Sequence, residues 1–120
     1  MRSLRSVLAI GLAFGLLACD SDDDPLPDPD TTCEESVLSY DNFGDPFVRN
    51  WCTGCHNSDL AEDMRQGSPT NVNFDTRAGI LVWRERVQLR AIEQATMPPT
   101  AGPGDDEKAL LAEWLACGAP

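Results

Sequence analysis

The chain has 120 residues and a formal net charge of -11 at pH 7, with 20 acidic side chains against 9 basic ones. This length allows one small domain between terminal segments. The acidic balance argues against binding to nucleic acid or electrostatic adhesion to anionic lipid.

Residues 1–18 have the composition of an export signal, with two arginines followed by the apolar run Val7–Ala18. That run is too short to span a bilayer, which takes about 20 apolar residues. It ends in Leu16-Leu17-Ala18-Cys19, which resembles the bacterial lipoprotein signal, in which the cysteine is lipidated and becomes the new N-terminus. We therefore expect lipid on Cys19 and a periplasmic or cell-envelope protein anchored to a membrane. The alternative is an ordinary secretory signal with a cysteine at its end by chance.

Residues 19–32 are acidic and proline-rich, with the sequence DSDDDPLPDPDTT after the cysteine. Such a segment has too little apolar surface to offset the entropy of ordering, so we expect a disordered tether. The folded domain is predicted over residues 33–120.

Helical patterns dominate this domain. The first helix is predicted to begin with Asp45 as its N-cap and to run into the central cysteine pair. Asp75 is predicted to cap a long helix over residues 76–95, and Asp105 a last helix that ends near Gly118. Period-two runs of β-branched residues are nearly absent, so the sequence predicts an all-α fold.

The apolar faces of the two later helices provide the predicted core. The long helix repeats apolar residues at helical spacing, on a face formed by Ile80, Trp83, Val87 and Ala91. The last helix is expected to bury four residues: Leu110, Leu111, Trp114 and Leu115. A helical domain this small buries a thin core, and small scaffolds usually need further staples.

Cys52-Thr53-Gly54-Cys55-His56 contains the sole histidine of the chain. C-x-x-C-H is the spacing of c-type haem attachment. Two thiols on one helical turn can each add to a vinyl group of haem, and the next residue then lies beneath the ring, where its imidazole can bind iron. A zinc site or dithiol redox motif has no need of a histidine there. We expect one covalent haem c through Cys52 and Cys55, with His56 as an iron ligand.

The other face of the iron needs a second ligand or an open position, and no second histidine exists to supply it. Met64 follows His56 closely and would have to wrap around the porphyrin edge, whereas Met97 lies beyond the long helix. Pro98 and Pro99 come next, and their fixed φ stiffens the backbone that presents the thioether. We expect Met97 to be the second ligand. The alternative is a methionine that fills a gap in the core.

Two cysteines, Cys33 and Cys117, remain when Cys19 is assigned to lipid and the central pair to haem. An exported protein occupies a compartment in which disulfides persist. We expect Cys33 and Cys117 to be joined, which in the chain-entropy model stabilises the fold by about 3–5 kcal/mol. Two free, buried thiols are the alternative.

These residues together resemble a monohaem class I c-type cytochrome of the bacterial lipoprotein type. The shared features are a helix entering C-x-x-C-H, the Met97-Pro98 segment and a last helix with an aromatic residue, Trp114. In that family a glycine and an aromatic of the first helix pack on the last helix, and the candidates here are Gly44, Phe47 and Val48. The resemblance implies one-electron transfer to redox partner proteins of the envelope, without enzymatic turnover.

Other functions can use the same residues. Trp51-Cys52-Thr53-Gly54-Cys55 is similar to the motif of thioredoxin-like thiol–disulfide oxidoreductases, although that fold needs strands around it. A zinc module would take as ligands Cys33, Cys52, Cys55 and His56. The haem can also be catalytic, as in a peroxidase with five-coordinate iron, or belong to an accessory subunit of a larger envelope enzyme.

Overall fold

The computed structural model describes residues 33–120, so the predictions of a signal peptide over residues 1–18, of lipidation at Cys19 and of a tether over residues 19–32 concern residues outside the described range. Within residues 33–120 the secondary structure is helical and contains no strand, which confirms the all-α prediction. No helix in this range is both long enough and apolar enough to cross a membrane.

The first helical run begins earlier than the sequence predicted. Ser39, and not Asp45, is the N-cap: its hydroxyl accepts from the Asn42 N–H at 3.2 Å, and the Asn42 side chain accepts from the Ser39 N–H at 2.8 Å. This reciprocal capping box starts a π-helical turn, Tyr40–Gly44, that continues directly into helix α1, Asp45–Trp51. Asp45 therefore lies inside a helical run.

The helix predicted over residues 76–95 is divided into shorter pieces. Helix α2 spans Arg77–Val82, helix α3 spans Arg84–Val87, and a π-helical segment covers Gln88–Glu93. The break falls at Trp83, whose φ of -108° and ψ of 13° leave the helical region. The predicted apolar face is nevertheless present. Ile80 belongs to the core, and the side chains of Trp83, Val87 and Ala91 pack against it.

The N-cap of α2 is also one residue later than predicted. Thr76 caps the helix by accepting a hydrogen bond from the Gly79 N–H at 3.1 Å. The Asp75 carboxylate instead accepts from the backbone and the hydroxyl of Ser58, at 3.1 and 2.7 Å. Asp75 thus fastens the loop after the motif to the start of α2.

Helix α4, Asp105–Ala116, closes the fold. Its N-cap is Gly104, and the Glu107 carboxylate accepts the Gly104 N–H at 3.1 Å, so the prediction of Asp105 as cap was wrong by one residue. The prediction of a buried Leu110 was also wrong, since that side chain is 40% exposed. It lies about 100° around the helix from its buried neighbour Leu111 and so faces away from the core.

Helix α4 packs against the first helical run through Trp114, which is fully buried. A Cβ atom placed on Gly44 would lie 2.7 Å from Cη2 of the Trp114 ring, so only glycine fits there. Phe43 meets the same ring edge-on with centroids 6.0 Å apart, and Phe47 lies next to Phe43 at 5.4 Å. Of the three predicted candidates for packing between the first and last helices, Gly44 is confirmed, and Phe47 and Val48 belong to the core. The aromatic ring that meets Trp114 is Phe43, which was not predicted.

A disulfide joins Cys33 to Cys117, with Cα atoms 5.3 Å apart across a sequence separation of 84 residues. The predicted pairing is therefore confirmed in the structure. The bond ties the start of the described chain to the end of α4, where Trp114 also donates its indole N–H to the Pro120 carbonyl at 3.3 Å.

Candidate functional site

The C-x-x-C-H motif forms one continuous turn at the end of α1. Cys52 is the C-cap of the helix, and its N–H donates to the Val48 carbonyl at 2.8 Å. The Cys52 carbonyl in turn accepts from the N–H groups of Cys55 and His56, at 3.1 and 2.9 Å. The structure thus brings the two predicted haem-binding cysteines and the predicted iron ligand together on a single backbone turn.

Cys52 and Cys55 are the free cysteines of the described chain, and both are half-buried. Cys52 packs against the core, and this burial raises the pKa of its thiol to about 12. The thiol is therefore protonated at neutral pH. Thiol–disulfide oxidoreductases depend on the opposite, an attacking cysteine whose pKa is depressed. The Cys52 environment, and the absence of strands from residues 33–120, both weigh against that alternative.

His56 is oriented by a backbone carbonyl. Its Nδ1 lies 3.2 Å from the Val72 oxygen. Because a carbonyl can only accept, Nδ1 must carry the proton, and Nε2 keeps its lone pair. Burial lowers the pKa of His56 in spite of the opposing Val72 hydrogen bond, and so favours the neutral ring, which is the form that binds metals. The imidazole also packs against Phe74, with ring centroids 4.9 Å apart.

The loop that carries Val72 is held in place by Arg65, a residue that sequence reasoning missed. The Arg65 side chain is only 1% exposed. Its guanidinium donates to four backbone carbonyls and one side-chain amide oxygen, contributed by Asn57, Ser68, Pro69, Val72 and Asn73. The one signal in the sequence was that Arg65 is the sole arginine or lysine between Arg49 and Arg77.

Met97 lies on a separate segment, beyond the π-helical Gln88–Glu93. The N–H groups of Thr96 and Met97 both donate to the Arg90 carbonyl, at 2.8 and 3.1 Å. The Met97 side chain is 37% exposed, and it does not belong to the core cluster of the described residues. The core gap-filling alternative therefore lacks support. Met64 is still more exposed, at 61%.

The zinc alternative also fits poorly. Cys33, one of its four proposed ligands, is engaged in the disulfide. Across residues 33–120, no three His, Cys, Asp or Glu side chains are grouped so that they could hold a metal ion. Haem attachment requires no such group, since the cysteines bind the porphyrin and the iron needs only axial donors.

Several apolar side chains around the core remain partly uncovered, and Cys52 is one of these residues. The others include Trp51, Val72, Trp83, Val87 and Ile92. A separate cleft of about 290 Å³ on α2 and α3 is lined by Val82, Trp83, Glu85, Arg86 and Leu89, and it shares no lining residue with the motif. The candidate site is therefore defined by the C-x-x-C-H turn and the Val72 loop, with Trp51, Cys52 and Val72 as its partly covered apolar side chains.

Comparison of the chain with protein-family models, with curated proteins and with solved structures found no match.

Proposed function

We propose that the protein is a one-electron carrier of the bacterial cell envelope that holds one covalent haem c through Cys52 and Cys55. The observation that carries this proposal is the hydrogen bond between His56 Nδ1 and the Val72 carbonyl, at 3.2 Å. It fixes the tautomer that leaves Nε2 free for iron, and it does so in the residue directly after a cysteine pair. Outer-shell hydrogen bonds of this kind are typical of metal-ligating histidines.

The residues of the turn have chemistry suited to attachment. Each thiol would add across one vinyl group, sulfur to one carbon and hydrogen to the other, so the two thioether bonds would form without any oxidant. Free, unpaired thiols are required for this reaction, and Cys52 and Cys55 meet that requirement while the other two described cysteines are joined to each other.

His56 and Met97 are the residues that would hold the haem iron. When bound, haem supplies an iron that exchanges one electron between the ferrous and ferric states. A neutral imidazole and a thioether favour the ferrous state and so raise the reduction potential. The two hydrogen bonds to the Arg90 carbonyl restrain the backbone that would present the Met97 sulfur.

The fold gives the cofactor a second role. The described core contains eight buried hydrophobic residues and is surrounded by partly covered apolar side chains. An apolar macrocycle attached at Cys52 would cover part of that surface and exclude water from it. The small helical domain would then gain the additional apolar centre that its size calls for.

The envelope location, the lipid anchor on Cys19 and the redox partner proteins form part of the proposal, and they rest on the sequence of residues 1–32 and on the haem motif. A peroxidase-like protein and an accessory subunit of a larger enzyme would keep the same haem. In the peroxidase-like protein Met97 would not bind the iron. The accessory subunit would be bound to a larger enzyme.

The deciding experiment is expression in a bacterial periplasm that matures c-type cytochromes. The expected result is a sharp reduced α band and a chromophore that stays with the polypeptide through denaturing electrophoresis. The Cys52→Ala/Cys55→Ala variant should lose the covalent chromophore, whereas the Cys33→Ser/Cys117→Ser variant, with the same number of cysteines removed, should retain it. A colourless wild-type protein under these conditions would refute the proposal.

A further inference from the structure

Arg65 is the one charged side chain buried in the described residues. Every acceptor of its guanidinium is a neutral oxygen: Asn57 O, Ser68 O at 3.3 Å, Pro69 O at 2.8 Å, Val72 O at 2.9 Å and Asn73 Oδ1 at 2.8 Å. The ion pairs of residues 33–120 are formed by Arg49 with Asp45 and by Lys108 with Asp105. The hydrogen bonds thus satisfy the Arg65 donors, and no carboxylate of the described residues forms an ion pair with the guanidinium. One acidic group that feels its charge is Asp75, whose pKa is lowered by the Ser58 hydrogen bonds and, to a lesser extent, by Arg65.

This charge acts on the same atom that orients the proposed iron ligand. The Val72 carbonyl accepts from Arg65 Nη2 at 2.9 Å and from His56 Nδ1 at 3.2 Å. A carbonyl that accepts from a cation has less electron density to offer a second donor. The N–H of His56 is therefore polarised less than it would be by an unshared carbonyl.

The strength of that hydrogen bond sets how well the ring donates to a metal. A histidine whose N–H is strongly polarised becomes a more basic ligand, and a more basic ligand favours the ferric over the ferrous ion. Because the Val72 carbonyl is shared with Arg65, the His56 N–H is polarised less, and the ligand favours the ferric ion less strongly. A buried cation nearby has the same effect, because it disfavours the extra positive charge of the ferric state.

We propose that Arg65 is a positioning residue that keeps the reduction potential high, by placing on the Val72 carbonyl that His56 uses a positive charge that forms no ion pair within residues 33–120. This inference rests on the proposed function, since it concerns the potential of a haem bound at His56. It goes further by assigning the tuning of that potential to a residue outside the C-x-x-C-H motif.

The sharpest test neutralises the charge without removing the arginine. Asn73→Asp puts a carboxylate where Asn73 Oδ1 now accepts from Arg65. Asn71→Asp is the matched control, because Asn71 is exposed, lies in the same loop and changes the net charge equally. The expected result at a fixed ambient potential is a fall in the reduced-to-oxidised ratio on the order of tenfold for Asn73→Asp, equivalent to about 59 mV for one electron. Asn71→Asp should give a clearly smaller shift.

Arg65→Gln is the second variant and should lower the potential in the same direction, with Asn73→Asp deciding the matter if Arg65→Gln fails to fold. Equal potentials for haem-loaded Asn73→Asp, Asn71→Asp and wild type would overturn this inference and leave the electron-carrier proposal standing. A wild-type protein that acquires no covalent haem would overturn the proposed function and this inference with it. If Arg65 had only a structural role, Arg65→Gln would lower the unfolding midpoint, and Asn73→Asp and Asn71→Asp would have the same reduction potential.

Discussion

Gly44 and Trp114 are in direct contact across the first helical run and helix α4, so closely that a Cβ atom on Gly44 would lie 2.7 Å from the indole Cη2. Trp114 has no exposed surface and cannot move outward without opening the core. The contact therefore fixes how the segment that carries the C-x-x-C-H motif approaches the end of the domain that carries the disulfide.

Gly44→Ala should destabilise the protein by about 1–3 kcal/mol, the usual cost of an extra methyl group forced into a packed core. The measurement is chemical denaturation followed by circular dichroism. Gly54→Ala is the control, because Gly54 is exposed and has open space around its Cβ position. If both variants unfold at the same denaturant concentration, the close packing of Gly44 on Trp114 is not an important contact.

The Cys33–Cys117 disulfide should contribute substantially to stability, since it closes a loop across 84 residues. In the chain-entropy model its loss costs about 3–5 kcal/mol. Cys33→Ser/Cys117→Ser should therefore unfold at a much lower denaturant concentration than the wild type when both are compared at equal haem content. A reducing agent should lower the stability of the wild type toward that of the variant, and should leave the variant unchanged.

Features that depend on a few neighbouring residues were predicted from the sequence more accurately than features that depend on contacts between distant residues. The C-x-x-C-H turn is set by spacing within five residues, and the apolar face around Ile80 follows from helical periodicity. Helix starts were less well defined, because aspartate, serine, threonine and glycine all cap helices and several of them adjoin each start. The N-caps in the structure are therefore Thr76 instead of Asp75 and Gly104 instead of Asp105.

Features that depend on tertiary structure were not accessible from the sequence. The break at Trp83 interrupts a pattern that favours an unbroken helix. An arginine is ordinarily exposed, and the burial of Arg65 becomes apparent only once its loop folds back to offer five oxygen acceptors. The hydrogen bond from His56 to Val72 links residues on opposite sides of that loop and likewise has no sequence signature.

Before haem attachment, Cys52 should react slowly with alkylating reagents. Its pKa of about 12 exceeds the reference value of 9.0, so the thiolate fraction near pH 8 should be about a thousandfold below that of an ordinary thiol. Because burial penalises the charged form, the rate should keep rising with pH toward 12. The measurement is iodoacetamide labelling of haem-free folded protein, resolved by peptide mass spectrometry.

The control for this labelling is the same protein in denaturant, where Cys52 should react as an ordinary thiol. A labelling rate in the folded protein that levels off near pH 7 would contradict the expectation. Such a plateau would indicate a depressed thiol pKa, and the thiol–disulfide oxidoreductase alternative would regain support.

Substitution of Met97 distinguishes an electron carrier with a methionine ligand from a peroxidase-like protein with five-coordinate iron. If its sulfur binds iron, Met97→Ala should abolish the methionine–iron charge-transfer band of the oxidised protein and lower the midpoint potential, because a thioether favours the ferrous state. Met64→Ala is the matched control, since Met64 is the more exposed methionine of the described residues and lies in the short 3₁₀ turn Glu62–Met64. It should leave both the spectrum and the potential unchanged.

A Met97→Ala protein with the wild-type spectrum would show that another group, or none, occupies the second axial position. An oxidised wild-type spectrum typical of five-coordinate iron would agree with that result and favour peroxidase-like chemistry at an open site. The structure argues against a packing role, because the Met97 side chain is one-third exposed and lies outside the core cluster, where its removal would leave no cavity. Loss of the charge-transfer band with little change in the unfolding midpoint of the haem-free protein is therefore the expected combination.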